Sequence, residues 1–165
     1  MALTNENNVI KKLLLFGSLY LLLAGGAIAY FLVTGKLTND AKILDPVRIA
    51  EGKVIYQDHC ASCHGINLKG QPNWETRNAD GTYPAPPQNE DGHTWQHSDR
   101  QIFRYIEEGG ADFYPPPIKS NMPGYKDTLT SKQIWALISY IKSRWPEEIR
   151  QKQIAANFAG GFGHH

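Results

Sequence analysis

Cys60-Ala61-Ser62-Cys63-His64 decides the fold of this chain, because both of its cysteines lie inside that one C-x-x-C-H run. Two thiols three positions apart on one helical turn can each add to a vinyl group of a single porphyrin, and the adjacent imidazole then lies under the iron. The direct reading is one covalent haem c, anchored by Cys60 and Cys63 with His64 as an iron ligand. A redox dithiol would need a βαβ context, whereas the flanking sequence is helical on one side and glycine-rich on the other. A structural zinc needs four nitrogen or sulfur ligands, so the run would have to recruit a distant histidine.

Working outward, length and composition suit one small soluble domain. With 165 residues and 41% hydrophobic content, the chain can bury one modest core, to which an enclosed haem adds apolar surface. No thiol is left over for a disulfide, so bridges do not report the redox compartment.

Ahead of the domain, Leu13 to Val33 is 21 residues without a charge, preceded by Lys11-Lys12 and followed by Lys36. At ~1.5 Å per residue this spans about 30 Å, the thickness of a bilayer's hydrocarbon core. A single N-terminal transmembrane helix is expected, with residues 1–12 on the cytoplasmic side because the lysine pair precedes the span; Lys36 and Lys42 weaken that charge bias. A cleaved signal peptide is the alternative, since Ala27-Ile28-Ala29 has the small-x-small form of a cleavage site. The apolar run, however, exceeds the roughly 7–15 residues of a signal core. Residues 34–44 read as a tether that reaches at most ~35–40 Å when extended. It keeps the following domain near the bilayer and favours membrane proteins as partners. From Lys36 onward the chain carries 15 Lys+Arg and 15 Asp+Glu. That balance gives no basic nucleic-acid surface and no strong electrostatic capture of a distant soluble partner.

The domain at 45–146 reads as three helices around a long loop. Asp45-Pro46 starts the first, with Asp as N-cap and Pro at the first helical position, and Val47, Ala50 and Val54 follow at helical spacing. Ser98 with Gln101 forms a capping box for a second helix through Ile102, Phe103 and Ile106, which stops at Gly109-Gly110. Thr130 with Gln133 opens the third, which carries Ile134, Leu137, Ile138, Ile141 and Trp145 on one face before Pro146. No segment alternates like a strand. The tail, 147–165, has one more short helical stretch to Phe158. It ends in glycines and His164-His165, which could belong to a purification tag and carry no function here.

From about Asp45 to Trp145 the chain resembles the class I cytochromes c. Gly52 and Tyr56 match the glycine and aromatic of that family's N-terminal helix, and Leu137, Tyr140 and Ile141 its Leu-x-x-Tyr-hydrophobic pattern on the C-terminal helix. Ala85-Pro86-Pro87, Gly92-His93-Thr94-Trp95 and Asn121-Met122-Pro123 are similar to a group of small bacterial members. The resemblance implies an all-α, class I cytochrome c fold: helices around one covalent haem, here preceded by a single transmembrane helix. It also implies haem attachment outside the bacterial cytoplasm, placing the domain on the periplasmic side of the inner membrane.

His64 fills one axial position. Met122 is the only methionine besides Met1 and stands 58 residues after His64, in Asn-Met-Pro-Gly-Tyr, where Pro123 stiffens the loop. It is the expected second ligand, and His/Met ligation raises the reduction potential. A core role for Met122, with His93 or His97 on the iron, is the alternative. The resemblance implies that a proline-region carbonyl receives the second ring hydrogen of His64, and Pro86 or Pro87 fits. The segment from Gly70 to His97 suggests a packed loop over the haem edge. Trp95, Arg100, Arg77 and Trp74 are its candidate donors to haem carboxylates.

The functional expectation is a one-electron carrier with both axial positions filled, no catalytic residue and no small-molecule substrate. Ala24, Gly25-Gly26, Ala27 and Ala29 offer a small-residue surface for another membrane helix, so a membrane electron-transfer complex is the expected partner. The alternative is a haem-based enzyme or a gas or metal sensor, which would need a labile sixth ligand.

Overall fold

The computed structural model describes residues 12–30, 43–113 and 119–159. It divides into two compact units, Met1–Lys42 and Ile43–His165. In the first, α1 (Lys12–Tyr30) is long and apolar enough to cross a membrane; its 19 residues rise about 28 Å. Its leucines are exposed along its length, Leu13 to Leu15 by 66–69%. Ser18 Oγ donates to the Leu15 carbonyl at 2.9 Å, so the hydroxyl is satisfied within the helix. Residues 31–33 of the expected span, the tether to residue 42, Tyr114 to Pro117 and the terminal glycines and histidines lie outside the described residues.

The second unit contains α2 (Pro46–His59), α3 (Ala61–His64), a 3-10 turn (Thr94–Gln96), α4 (Asp99–Glu108), α5 (Gly110–Phe113), α6 (Ser131–Ser143) and α7 (Glu147–Ala159). Among the described residues there is no strand, only an isolated bridge between Thr82 and Lys119. The three main helices start where the sequence puts them. Asp45 accepts from the Arg48 N–H at 3.0 Å, and Ser98/Gln101 and Thr130/Gln133 close reciprocal capping boxes. The short helices α3 and α5, four residues each, carry no periodic signal that sequence could offer.

The buried face of α2 is set by its neighbour. Val47 and Val54, at helical spacing, face outward at 77% and 56% exposure, while Gly52, Ile55 and Tyr56 form the buried face. The reason is α6, which α2 crosses in the most extensive helix–helix contact of the unit. A Cβ on Gly52 would stand 1.9 Å from the Ala136 carbonyl oxygen, so the backbones meet where only glycine fits. On α6, Ile134, Leu137, Ile138 and Ile141 are almost wholly buried, each stabilising the fold by roughly 1.5–3 kcal/mol relative to exposure. Tyr140 packs its ring 5.2 Å from that of Tyr56.

α7 is held by polar chemistry. Buried Lys142 on α6 bonds both carboxylate oxygens of Asp99, at 2.7 and 2.9 Å. Gln153 and Asn157 on α7 donate to the same carboxylate at 2.8 and 3.0 Å. Every acceptor position of Asp99 is thereby engaged, which is what a shielded ion pair needs to offset its desolvation.

Candidate functional site

A cavity of about 810 Å³ opens inside the second unit, walled by α3, the loop that follows it, α4, the Ser120–Pro123 segment and one side of α6. Its size lies within the range of small-molecule and cofactor sites. Cys60, Cys63 and His64 all line it, as do Met122, Pro86, His93 and His97.

The C-x-x-C-H run arrives at the wall through a break in the helix. Cys60 ends α2, and both Cys63 N–H and His64 N–H bond back to its carbonyl, at 3.1 and 2.9 Å. Burial, and secondarily the charge of neighbouring Cys63, push the Cys60 thiol up to about 12. An activated redox dithiol has the opposite character, a lowered thiol in an electropositive setting. This disfavours the redox-dithiol reading of the run.

His64 is buried, and its Nδ1 lies 2.9 Å from the Pro86 carbonyl oxygen. Since a carbonyl can only accept, Nδ1 carries the hydrogen and Nε2 keeps its lone pair. Burial lowers the imidazole's proton affinity, outweighing the upward pull of that bond. A neutral, oriented imidazole with Nε2 free is the form that ligates a metal. Of the two prolines expected from sequence, Pro86 accepts this bond. The Pro87 carbonyl faces Gly92, where a Cβ would approach to 2.0 Å.

Met122 sits on a segment braced from both sides. Its N–H bonds Ser120 Oγ at 3.2 Å and its carbonyl accepts from Gly110 at 3.0 Å. A Cβ on Gly110, which also lines the cavity, would meet Ser120 Oγ at 2.0 Å and Met122 Cβ at 3.4 Å. Tyr125, three residues on, donates from its hydroxyl to the His59 carbonyl at 2.8 Å, which ties the methionine segment to the end of α2.

The long loop is packed by main-chain bonds. Gly70 N–H donates to the His64 carbonyl at 2.8 Å, Gln88 N–H to Leu68 at 2.8 Å and Gln71 N–H to Ala85 at 2.8 Å. Trp145 of the α6 end donates its indole N–H to the Gln88 carbonyl at 2.7 Å. Of the candidate carboxylate donors, Trp95 donates its indole N–H to the Gly92 carbonyl at 2.9 Å and Arg100 is exposed. Arg77 turns to Tyr83, its Nε 3.1 Å from the hydroxyl. Trp74 does line the cavity, stacked on His93 at 5.7 Å.

Gln88 and Lys119, both lining residues, were not foreseen. Gln88 is buried, and its Oε1 has no hydrogen-bond partner among the described residues. A polar group so placed in a cavity wall calls for a polar group on the occupant. The residues therefore fit a haem: two thiols side by side, a neutral imidazole, a thioether and apolar walls from Ile102, Ile106, Leu137 and Ile141. Sequence could not flag Gln88, because its role depends on a loop conformation that no periodicity encodes.

Comparison with known proteins agrees with this chemistry. A family model described as Cytochrome c matches residues 49–145. No curated protein and no solved structure matches the chain.

Proposed function

The chain belongs to the cytochrome c family, and on that footing we propose that it is a membrane-anchored monohaem carrier serving as a subunit or tightly docked donor or acceptor of a respiratory or photosynthetic electron-transfer complex. The family holds haem c covalently, and Cys60-x-x-Cys63 is the one attachment run of this sequence. When bound, haem c supplies reversible one-electron iron chemistry.

The protein's part is positional. Cys60 and Cys63 fix the group in the cavity, and His64 offers Nε2 while Pro86 holds its ring. Met122 offers its thioether from the braced Ser120–Pro123 segment. The observation that carries this reading is that one cavity is lined by Cys60, Cys63 and His64 and by Met122. Were His64 and Met122 both to ligate the group's metal, no ligand position would remain for a substrate or gas. This favours the carrier over the enzyme or sensor reading.

Domain limits follow the same logic: residues 1–12 cytoplasmic, 13–33 in the inner membrane, 34–44 a tether, 45–146 the haem domain in the periplasm and 147–165 a tail. Lys11-Lys12 before the apolar span supports this orientation. The Ala24-Gly25-Gly26-Ala27 surface suits close packing against another membrane helix.

Three measurements test the proposal. The reduced protein is expected to show a sharp α band that survives acid-acetone extraction and to be inert to carbon monoxide. The ferric protein is expected to show a weak far-red sulfur-to-iron band that Met122→Ala abolishes. Persistence of that band in the variant, or rapid carbon monoxide binding, would reject the ligand set. Mild-detergent purification is expected to bring down membrane electron-transfer partners, and recovery as a lone monomer beside intact complexes would reject the subunit role.

A further inference from the structure

Four aromatic rings run along one wall of the cavity, and the two in the middle are imidazoles. Trp74 stacks on His93 at 5.7 Å, His93 meets His97 edge-on at 5.6 Å, and His97 meets Tyr105 edge-on at 5.5 Å. All four line the cavity. Both imidazoles are half-buried, so each faces the occupant and can still exchange protons with water.

The charge inventory of this wall is unusual. Among the described lining residues, the side chains able to carry positive charge are His59, His64, His93, His97 and Lys119, with no arginine among them. His64 has its Nδ1 on Pro86. His59 packs edge-on against Tyr125 at 5.7 Å, and the Lys119 ammonium donates to the Asp80 carbonyl at 3.3 Å. A haem brings two carboxylates into such a cavity together with an iron whose charge changes by one. A neighbouring charge compensated by imidazoles is then compensated by groups that titrate near neutrality.

We infer that the His93–His97 pair is a redox-linked proton site, which takes up a proton as the haem domain is reduced and releases it on oxidation. The inference rests on the haem reading given above. In the balanced step, one electron arrives from the redox partner and one proton arrives from water at an imidazole nitrogen of the pair; reoxidation returns both. In two rings this close, a charge on the first opposes a charge on the second. The surroundings leave room for that swing. Burial, with the charge of His93 adding to it, holds the His97 imidazole below its ordinary value, so it is poised to respond when a positive charge nearby disappears.

Other groups around the pair are fixed. Tyr105 on α4 offers a phenol ring, and the His97 carbonyl accepts from Gln153 on α7 at 3.2 Å. Asp99, two residues on, is tied to Lys142, Gln153 and Asn157. Glu75 is the one carboxylate on the cavity lining. A unit change of charge about 10 Å away, at an effective dielectric constant near 20, alters proton affinity roughly tenfold.

The test is the midpoint potential of the full chain in detergent, measured spectroelectrochemically from about pH 5 to about pH 9. A tenfold difference in proton affinity predicts a total fall of about 59 mV as pH rises through the titration. His93→Gln, His97→Gln or the double variant is expected to flatten that fall, with the α band and far-red band unchanged, while His59→Gln retains it. A wild-type potential independent of pH would overturn the inference, as would a slope kept in the double variant or lost with His59→Gln. Should the variants fail to take up haem, histidine ring resonances of the parent in each oxidation state decide instead. A pair titrating higher when reduced supports the site, and identical titrations overturn it. Absence of the far-red band in the parent would fail the Met122 reading and leave this slope as its own test.

Discussion

The α2–α6 crossing and the loop from Gly65 to His97 enclose the same cavity by opposite means. At the crossing, apolar side chains and two backbones press together, with Gly52 under Ala136 and Ile134, Leu137 and Ile138 sealed from water. In the loop, Leu68 is the one aliphatic side chain in the core. Shape comes instead from main-chain bonds and from left-handed residues at Leu68, Asn73, Gly65, Gly70 and Gly81. The crossing is a global element: its apolar burial is shared by every helix that packs on it. The loop is a local one, whose bonds fix where Pro86, Gln88, His93 and His97 face the cavity.

That contrast predicts different failures. The largest effect belongs to Gly52→Val, whose new side chain would meet Ala136 backbone within 1.9 Å. Neither helix can yield without separating, so a loss of at least about 3 kcal/mol is expected, read as collapse of holoprotein yield and of the denaturation midpoint. A variant that unfolds within a few degrees of the parent would mean that the crossing is not the global element. Next comes Gly70→Ala, at φ +68° with a Cβ 2.5 Å from Pro87 N. A left-handed alanine costs ~1–2 kcal/mol, and displacement of the Ala85–Pro87 run adds to it, for about 2–3 kcal/mol in all. Helical circular dichroism should persist while the far-red band shifts or weakens, since the His64–Pro86 bond moves. Equal loss of helix in both variants would erase the distinction between the regions.

The same division separates what sequence discloses from what it hides. The C-x-x-C-H run, the caps at Asp45, Ser98 and Thr130 and the apolar face of α6 are local patterns with local causes, and all three are found where the residues put them. The buried face of α2 is not local. Val47 and Val54 have the spacing of a core stripe, yet Gly52, Ile55 and Tyr56 turn inward because α6 can approach closest at a glycine. The loop is harder still. Which proline carbonyl meets His64, and why Gln88 is left with an orphaned amide oxygen, follow from main-chain bonds between residues well separated in sequence, such as Gln88 to Leu68 and Gln71 to Ala85.

Tyr56 joins the two regions and offers the smallest and cleanest test. It belongs to the crossing through its ring against Tyr140, and to the loop through its hydroxyl, which donates to the Gly65 carbonyl at 2.8 Å. Tyr56→Phe keeps the ring and removes only the bond, leaving the half-buried Gly65 carbonyl with the Leu68 N–H as its donor, so about 1 kcal/mol of stability should go. Its pH dependence identifies the source. Burial, foremost, and the charges of Cys60 and Tyr140 raise the phenol far above its ordinary value of 10.0. A group raised on folding contributes stability that is whole below its unfolded value and is lost as pH climbs past it. The parent should therefore weaken above about pH 10 more steeply than Tyr56→Phe, and the gap between their denaturation midpoints should narrow. A constant gap across that range would mean that the hydroxyl is not held in the seam between helix and loop, and that the two regions do not meet there.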